Sequence, residues 1–250
     1  MNRNIALILK VRINSTSTSL VLRKVLDFVA NPSLQRPKAL VVFTPNPEFL
    51  VAAYHDENFR QILNQADINL PDGWGLILLS RLIGQPIKER IAGADLVQRL
   101  LAEGNKRKWT VGISGARKGD LEESTEVIKR LKTKYPGLVI VNLDDTKLEI
   151  SPPAGGLKLE IVLACQGMEK QEKWIMENKD KINAKVFMGV GGSLDFLTGF
   201  SQRAPLWMQA VGLEWLWRAL QSPAHWKRIW KAVVVFPWLV VREKILISKH

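Results

Sequence analysis

Cysteine is almost missing from this chain: Cys165 is the single one among 250 residues. One thiol excludes an intramolecular disulfide and the usual structural zinc sites, which need several cysteines. Cys165 therefore reads as a small buried residue. Long apolar runs are missing as well. Ile5–Leu9 is apolar, but Lys10 and Arg12 cut it far short of a secretory leader. No uninterrupted apolar stretch of about 20 residues occurs, so no membrane-spanning helix is expected. The chain lacks the three ordered glycines of the dinucleotide fingerprint and the Gly-Lys-Ser/Thr of a P-loop. No histidine or carboxylate cluster accompanies Asp144-Asp145, the one pair that invites a metal reading, and adjacent loop aspartates read more simply as solvated turn residues.

Acidic residues are the other scarcity. Twenty-four Asp and Glu face 36 Lys and Arg, leaving a net charge of +12. That balance points to an anionic partner: nucleic acid, a phosphate-rich substrate or an anionic membrane surface. With 46% hydrophobic and 24% charged residues, the chain suits one α/β domain, or such a domain with an appendage.

What is present centres on residues 39–75. Two apolar runs, Ala39–Phe43 and Ile68–Leu70, each pass straight into a polar turn: Thr44-Pro45-Asn46-Pro47-Glu48 and Pro71-Asp72-Gly73-Trp74-Gly75. Apolar runs without alternation suit strands buried on both faces, as in a parallel sheet flanked by helices. Ligands of such sheets sit beyond the carboxyl ends of the strands, where Thr44, Asn46 and Asp72 would share one crevice. Each turn also has a purely structural reading. Asn46-Pro47-Glu48 is good helix-start chemistry, and Pro71-Asp72-Gly73 is good turn chemistry.

The pattern of strand, turn and helix repeats along the chain. Residues 5–13 read as a first strand or hairpin arm. Ser15–Ser19 supplies caps for a helix through 20–30, which Asn31-Pro32 ends, and Pro37-Lys38 leads into the strand at Ala39. Helices are expected at 48–54, 58–65 and 74–83. Asp95 caps or opens another that runs to Glu103. Strands are expected at 110–114, 138–142, 159–165 and 184–190, with helices at 120–135, from Met168 on, and at 193–199. Arg90 reads either as a solvated charge beside Glu89 or as a planar clamp on a phosphate. The turn Gly115–Gly119 before a helix is a weak phosphate-loop candidate.

The last fifth holds six of the nine tryptophans: Trp207, Trp215, Trp217, Trp226, Trp230 and Trp238. From Arg203 on, Arg203, Arg218, Lys227, Arg228, Lys231, Arg242, Lys244 and Lys249 face only Glu214 and Glu243. Charge, aromatics and a short apolar run broken by Pro237 together fit a helical hairpin in the interface of an anionic bilayer; the competing reading is a lid that packs its tryptophans on the core.

The two polar turns, Glu89-Arg90-Ile91-Ala92-Gly93-Ala94-Asp95-Leu96, Lys170-Gln171-Glu172-Lys173-Trp174, Gly189-Val190-Gly191 leading to Asp195–Gly199, Arg203-Ala204-Pro205 and Gly212–Trp215 form an ordered set. On these motifs the chain resembles the WecG/TagA/CpsF family of bacterial glycosyltransferases along most of its length. The resemblance implies a Rossmann-like α/β core, residues 1–199, and a basic, Trp-rich helical appendage at 200–250 that associates with the cytoplasmic face of the membrane. It implies inverting, metal-independent transfer of a sugar from a uridine diphosphate (UDP) donor, usually N-acetylmannosamine or its uronic acid. The implied acceptor is a sugar on a polyprenyl diphosphate. No cofactor and no nucleic-acid partner are expected, and a homo-oligomer is compatible with the sequence.

By position, Asp72 matches the family's general base, and Thr44, Asn46, Arg90 and Gln171 match residues lining its pocket. A free aspartate, with a pKa of about 3.9, is a weak base at neutral pH, so some burial is expected there. Arg90, Arg203, Arg218 and Arg228 are candidates for the leaving diphosphate, and Lys227 joins them as a membrane contact. This chain departs from the family where Gly167-Met168-Glu169-Lys170-Gln171-Glu172 replaces Gly-Ser-Pro-Lys-Gln-Glu, and in the turn Gly115–Gly119. Two other classes remain at this point: a different Rossmann-type nucleotide-dependent enzyme, such as an oxidoreductase, and a non-catalytic basic protein that binds membrane or nucleic acid.

Overall fold

The computed structural model describes residues 4–31, 39–145, 157–221 and 226–247, with the side chains at 210, 218, 219, 221 and 247 left out. Pro32, Pro37-Lys38 and Lys249 lie outside the described residues.

The first expected strand is a hairpin, β1 (Ile5–Ile8) and β2 (Val11–Asn14), closed by Leu9 and Lys10, both at positive φ. Its two-residue turn with both central residues left-handed matches the twist of the arms. The hairpin forms its own two-stranded sheet and docks Ala6, Ile8, Val11 and Ile13 on the core. Helix α1 (Thr18–Ala30) follows, its N-terminus capped by the Ser17 hydroxyl.

The main sheet has six strands: β3 (Leu40–Phe43), β4 (Ile68–Asn69), β5 (Thr110–Ser114), β6 (Val139–Asn142), β7 (Leu159–Ala164) and β8 (Ala184–Gly189). All pair in parallel, in the order β4-β3-β8-β7-β5-β6. Successive residues of a strand point to opposite faces, and here both faces are covered. Val41, Phe43, Val162 and Phe187 pack against the hairpin, α2 (Pro47–His55), α3 (Glu57–Gln65), α4 (Trp74–Leu82) and α7 (Lys170–Asn178). Leu40, Val42, Ile161, Val186 and Met188 pack against α1, α5 (Gly93–Arg107), α6 (Leu121–Lys134) and α8 (Ser193–Thr198). This double-sided burial is why the strands carry no polar alternation. The fold is an α/β Rossmann-like sandwich. Helix α5 extends past Glu103 to Arg107, and Asp95 sits in its first turn while Ala92 holds the cap position.

The C-terminal segment comprises α9 (Leu206–Ala210), α10 (Glu214–Gln221), α11 (Trp226–Trp230) and α12 (Phe236–Ile247). Pro237 does not break this segment. A π-helical turn, Lys231–Val235, joins α11 to α12, and the Phe236 amide bonds to the Lys231 carbonyl five residues back. The wider turn absorbs the amide that proline lacks and relieves its ring clash. Helix α12 inserts Phe236, Leu239 and Val240 into the same core as α2 and α4. Burying a side chain such as Phe236 contributes about 1.5–3 kcal/mol, so the end of the chain is anchored to the sandwich.

Candidate active site

Register places the two polar turns side by side. Phe43 of β3 pairs with Asn69 of β4, so residues 44–46 and 70–72 leave the sheet together. The Asp72 amide donates to the Pro45 carbonyl at 3.0 Å, and the Leu70 amide to that of Phe43 at 2.8 Å. Gly73, at φ +127°, lets the chain turn sharply into α4 while the Pro47 ring packs against it.

Within this crevice each expected residue has a defined place. Asn46 caps α2, its Oδ1 accepting from the Glu48 amide at 2.9 Å and the Phe49 amide at 3.2 Å. Thr44 Oγ1 donates to the Gly189 carbonyl at 3.4 Å, bridging β3 to β8, and its side chain packs against Gly93. Asp72 Oδ2 accepts from the Gly93 amide at 3.2 Å. Gly93 is the first residue of α5, so the carboxylate lies at the positive end of a 15-residue helix. Arg90 Nε stands 3.9 Å from Asp72 Oδ1, and the Asp72 side chain is 32% exposed. Asp72 is thus held by its partners yet open to a reactant.

Arg90 is not a solvated charge. Its side chain is 12% exposed. One guanidinium nitrogen pairs with Glu214 Oε2, another donates to the Gln209 carbonyl at 3.3 Å, and Nε is buried without a hydrogen bond on the side of Asp72. Arg203 pairs with Asp95 and lies 3.5 Å from Glu214 Oε1. Trp74 Nε1 donates to the Gln209 carbonyl at 3.4 Å. The segment from Arg203 to Glu214 therefore lies across the edge of the crevice, with Glu214 bridging the two arginines.

On the other side of Thr44, Gln171 Oε1 accepts from the Gly191 amide at 2.8 Å and fixes the turn after β8. Its Nε2 donates to Glu172 Oε1 at 2.6 Å, and Glu172 Oε2 accepts from the Glu169 amide at 2.8 Å. Glu169 has φ +69°, a conformation closed to proline, so the departure from the Gly-Ser-Pro-Lys-Gln-Glu pattern comes with its own backbone geometry.

Glu172 is fully buried, and burial pushes its carboxyl from 4.5 up to about 7 against the hydrogen bond from Gln171. Between those values the folded chain holds more protons than the unfolded one, so this group's contribution to stability is full at low pH and is lost as pH rises. The loss amounts to about 3 kcal/mol. In urea unfolding at a series of pH values, the difference between wild type and Glu172→Gln should shift toward the variant by about that amount from roughly pH 4.5 to 7.5. A difference independent of pH would contradict the raised titration.

A second polar cluster lies at the ends of β5, β6 and β7. Asp144 accepts from Ser114 Oγ at 2.8 Å and from the Gly115 amide at 2.6 Å, and Gln166 Nε2 donates to Ser114 Oγ at 2.8 Å. This corrects the reading of Asp144 as a solvated turn residue: it ties β6 to β5. Gln166 Oε1 is buried without a hydrogen bond. The Gly115 amide is already committed to Asp144, which weakens the phosphate-loop reading of that turn. Arg117, left-handed within it at φ 51°, bonds to Glu123 at 2.9 Å, reaches Asp195 at 3.5 Å and lies over the Phe200 ring. Burial raises the Asp195 pKa, and Arg117 opposes the rise.

The remaining tail residues divide. Arg228 Nε pairs with Glu48 Oε2 at 2.8 Å, fastening α11 to the start of α2. Lys227 is exposed. Arg218 lies on α10, and its side chain is outside the described residues. Trp207, Trp226, Trp230 and Trp238 face outward, each more than half exposed (63, 59, 61 and 57%). The segment covers part of the site through Gln209 and Glu214, but it does not do so by packing these tryptophans on the core. Among the described residues, no helix is long and apolar enough to cross a membrane, and no three His, Cys, Asp or Glu side chains gather into a metal site.

Comparison with known proteins places the chain in a family. Residues 6–250 match the Glycosyl transferase WecG/TagA/CpsF family. A protein of Bacillus subtilis (strain 168), named N-acetylglucosaminyldiphosphoundecaprenol N-acetyl-beta-D-mannosaminyltransferase, is 30% identical over 221 residues, covering 87% of this chain and 83% of that protein. One of the same name from Bacillus spizizenii is 33% identical over 200 residues, 78% and 77% of the two chains. A third, from Staphylococcus aureus (strain MRSA252), is 29% identical over 254 residues, covering 97% of this chain and 94% of the relative. With the family matched over nearly the whole chain, this protein belongs to the WecG/TagA/CpsF family and is a glycosyltransferase.

Proposed function

We propose that the chain transfers N-acetylmannosamine, or its uronic acid, from a UDP-sugar to a sugar carried on a polyprenyl diphosphate, with inversion and without a metal ion. The names of the relatives support the transferred sugar and the lipid-linked N-acetylglucosamine acceptor. The observation that carries the chemistry is Asp72, an accessible carboxylate at the strand ends with Arg90 beside it.

In this reading, a hydroxyl of the acceptor sugar loses its proton to Asp72 as its oxygen attacks the anomeric carbon of the donor. The bond from that carbon to the UDP oxygen breaks on the opposite face, and one displacement inverts the configuration. The leaving diphosphate carries the released charge, which cations and backbone amides stabilise. Arg90, whose Nε stands 3.9 Å from Asp72 Oδ1, orients the base, while Arg203, Arg218 and Arg228 belong to the segment that lies over or beside the crevice and supply the cations for the leaving group. Thr44, Asn46 and Gln171 shape the wall between β3 and β8, where the donor sugar would lie. The outward tryptophans and the excess of Lys and Arg in the C-terminal segment support peripheral binding to an anionic membrane, where a polyprenyl acceptor resides. Residues 200–250 would then act as the membrane-associating appendage to a catalytic core at 1–199.

The test is transfer from a panel of UDP-sugars to a short-chain lipid diphosphate N-acetylglucosamine with a chelator present. Product is expected from the N-acetylmannosamine donor or its uronic acid at a rate the chelator does not change. Product from neither donor, or transfer abolished by the chelator and restored by a divalent metal, would contradict the reading.

A further inference from the structure

A cleft of about 450 Å³ opens on the outer side of Arg90, between α4, the loop before α5 and α5 itself. Four cations line it: Arg81, Lys88, Arg90 and Arg99. Its two acids are already engaged. Glu89 accepts from the amide and the hydroxyl of Thr18, and Asp95 pairs with Arg203. Among the described residues, Arg81, Lys88 and Arg99 have no carboxylate partner, and all three are exposed. The cleft therefore presents a net excess of positive charge from three separate elements, four cations against Glu89 and Asp95.

Its position relative to Asp72 decides which anion it suits. Ala92 of the cleft wall precedes Gly93, whose amide holds Asp72, and Arg90 faces both. In an inverting displacement the base stands on the acceptor's side of the anomeric carbon, and the leaving diphosphate departs on the other. An anion site adjoining the base is thus on the acceptor's side. Its lining is apolar as well as basic, with Trp74 and Ile77 part of it, and an exposed apolar ridge continues from Trp74. Trp74 and Leu78, one turn apart on α4, are 39 and 60% exposed, and Val211 is 63% exposed next to Gly212, which packs on the Trp74 ring. Cations beside an exposed apolar ridge match a phosphate group carried by a hydrocarbon chain better than a soluble nucleotide.

We propose that this cleft binds the diphosphate of the lipid-linked acceptor, with the first prenyl units lying against Trp74, Leu78 and Val211. The assignment rests on the transfer reaction above and adds a second phosphate site to it, distinct from the one for the leaving group. Arg81, Lys88 and Arg99 anchor the acceptor's diphosphate, and its sugar hydroxyl then falls toward Asp72.

The experiment measures equilibrium binding of farnesyl diphosphate, which carries no sugar, to the full chain and to Arg81→Gln/Lys88→Gln/Arg99→Gln. Inorganic pyrophosphate, UDP and phosphatidylglycerol vesicles serve as parallel probes. Wild type should bind farnesyl diphosphate more tightly than pyrophosphate, and the triple variant should weaken farnesyl diphosphate at least about tenfold while changing UDP binding less than about twofold. Equal binding of farnesyl diphosphate by both proteins would overturn the proposal. So would a variant that loses only vesicle binding, since the cleft would then meet bilayer headgroups. Because the probe cannot be glycosylated, a cleft that binds as expected in a protein that transfers from no donor would sustain the site and refute the reaction.

Discussion

Asp72→Asn is expected to lower the transfer rate by about 10³-fold, within the range of about 10²–10⁴ for the loss of a general base, while donor affinity stays within about threefold of wild type. The asparagine is nearly isosteric, and its carbonyl oxygen can still accept from the Gly93 amide that now holds Asp72 at 3.2 Å. The geometry of the α5 N-terminus therefore survives. What disappears is the lone pair able to take a proton and the negative charge facing Arg90. A structural role for Asp72 alone would give the opposite pattern, with activity largely kept. Rates from quenched transfer reactions, together with donor titration of the same variant, separate the two.

Arg90→Ala should cost about 10²–10³-fold in kcat/KM, and Arg90→Lys should recover little of it. Lysine offers one compact ammonium where the guanidinium reaches Glu214, the Gln209 carbonyl and the side of Asp72 together. The loss has two parts. A cation is removed from the reacting centre, and Glu214 is left with Arg203 alone, so the segment over the crevice loosens. Hydrogen exchange of residues 203–217 reports the second part: faster exchange in Arg90→Ala than in wild type is expected, and unchanged exchange would mean that Arg90 does not hold the segment. Arg90→Ala retaining more than about a third of wild-type kcat/KM would remove it from the site.

The parts of the structure that were legible in the sequence are those written locally. Apolar runs without alternation gave the strands β3, β4, β5, β7 and β8, because burial on both faces erases the polar half of the pattern. Asn46-Pro47-Glu48 and Asp72-Gly73 announced their turns in the same way, and Asn46 proves to be a helix cap as well as a resident of the crevice. What stayed hidden depends on partners far apart in the chain. Arg90 and Glu214 are 124 residues apart, and no periodicity joins them. Asp144 looked like a solvated aspartate because Ser114 and Gly115 approach it only once β5 and β6 pair. Glu172 sits in a helix whose flanking lysines suggest solvent, yet α7 turns that position onto the end of β8, where Gly189 leaves room for it. Pro237 interrupts the apolar run of the tail, and nothing local to it shows that the π-helical turn before it lets the helix continue.

The tail shows the same division between local and distant information. Composition correctly marked the C-terminal fifth as basic and aromatic, but it could not say which side chains turn inward. Phe236, Leu239 and Val240 are buried, while the neighbouring Trp230 and Trp238 are not. A helix can serve both faces, and only its packing partner decides which residues meet the core. The inward stripe holds α12 against the sandwich and leaves Trp230 and Trp238 facing outward.

The most direct test of Asp72 as the base of a glycosyl transfer is a single-turnover measurement. Wild type and Asp72→Asn would each be saturated with UDP-N-acetylmannosamine and mixed with a short-chain lipid diphosphate N-acetylglucosamine, with donor occupancy read in the same samples. Full occupancy in both, with product forming about 10³-fold more slowly in the variant, is the expected result. Full occupancy with equal rates would show that the proton leaves by another route, and Asp72 would no longer stand at the centre of the reaction.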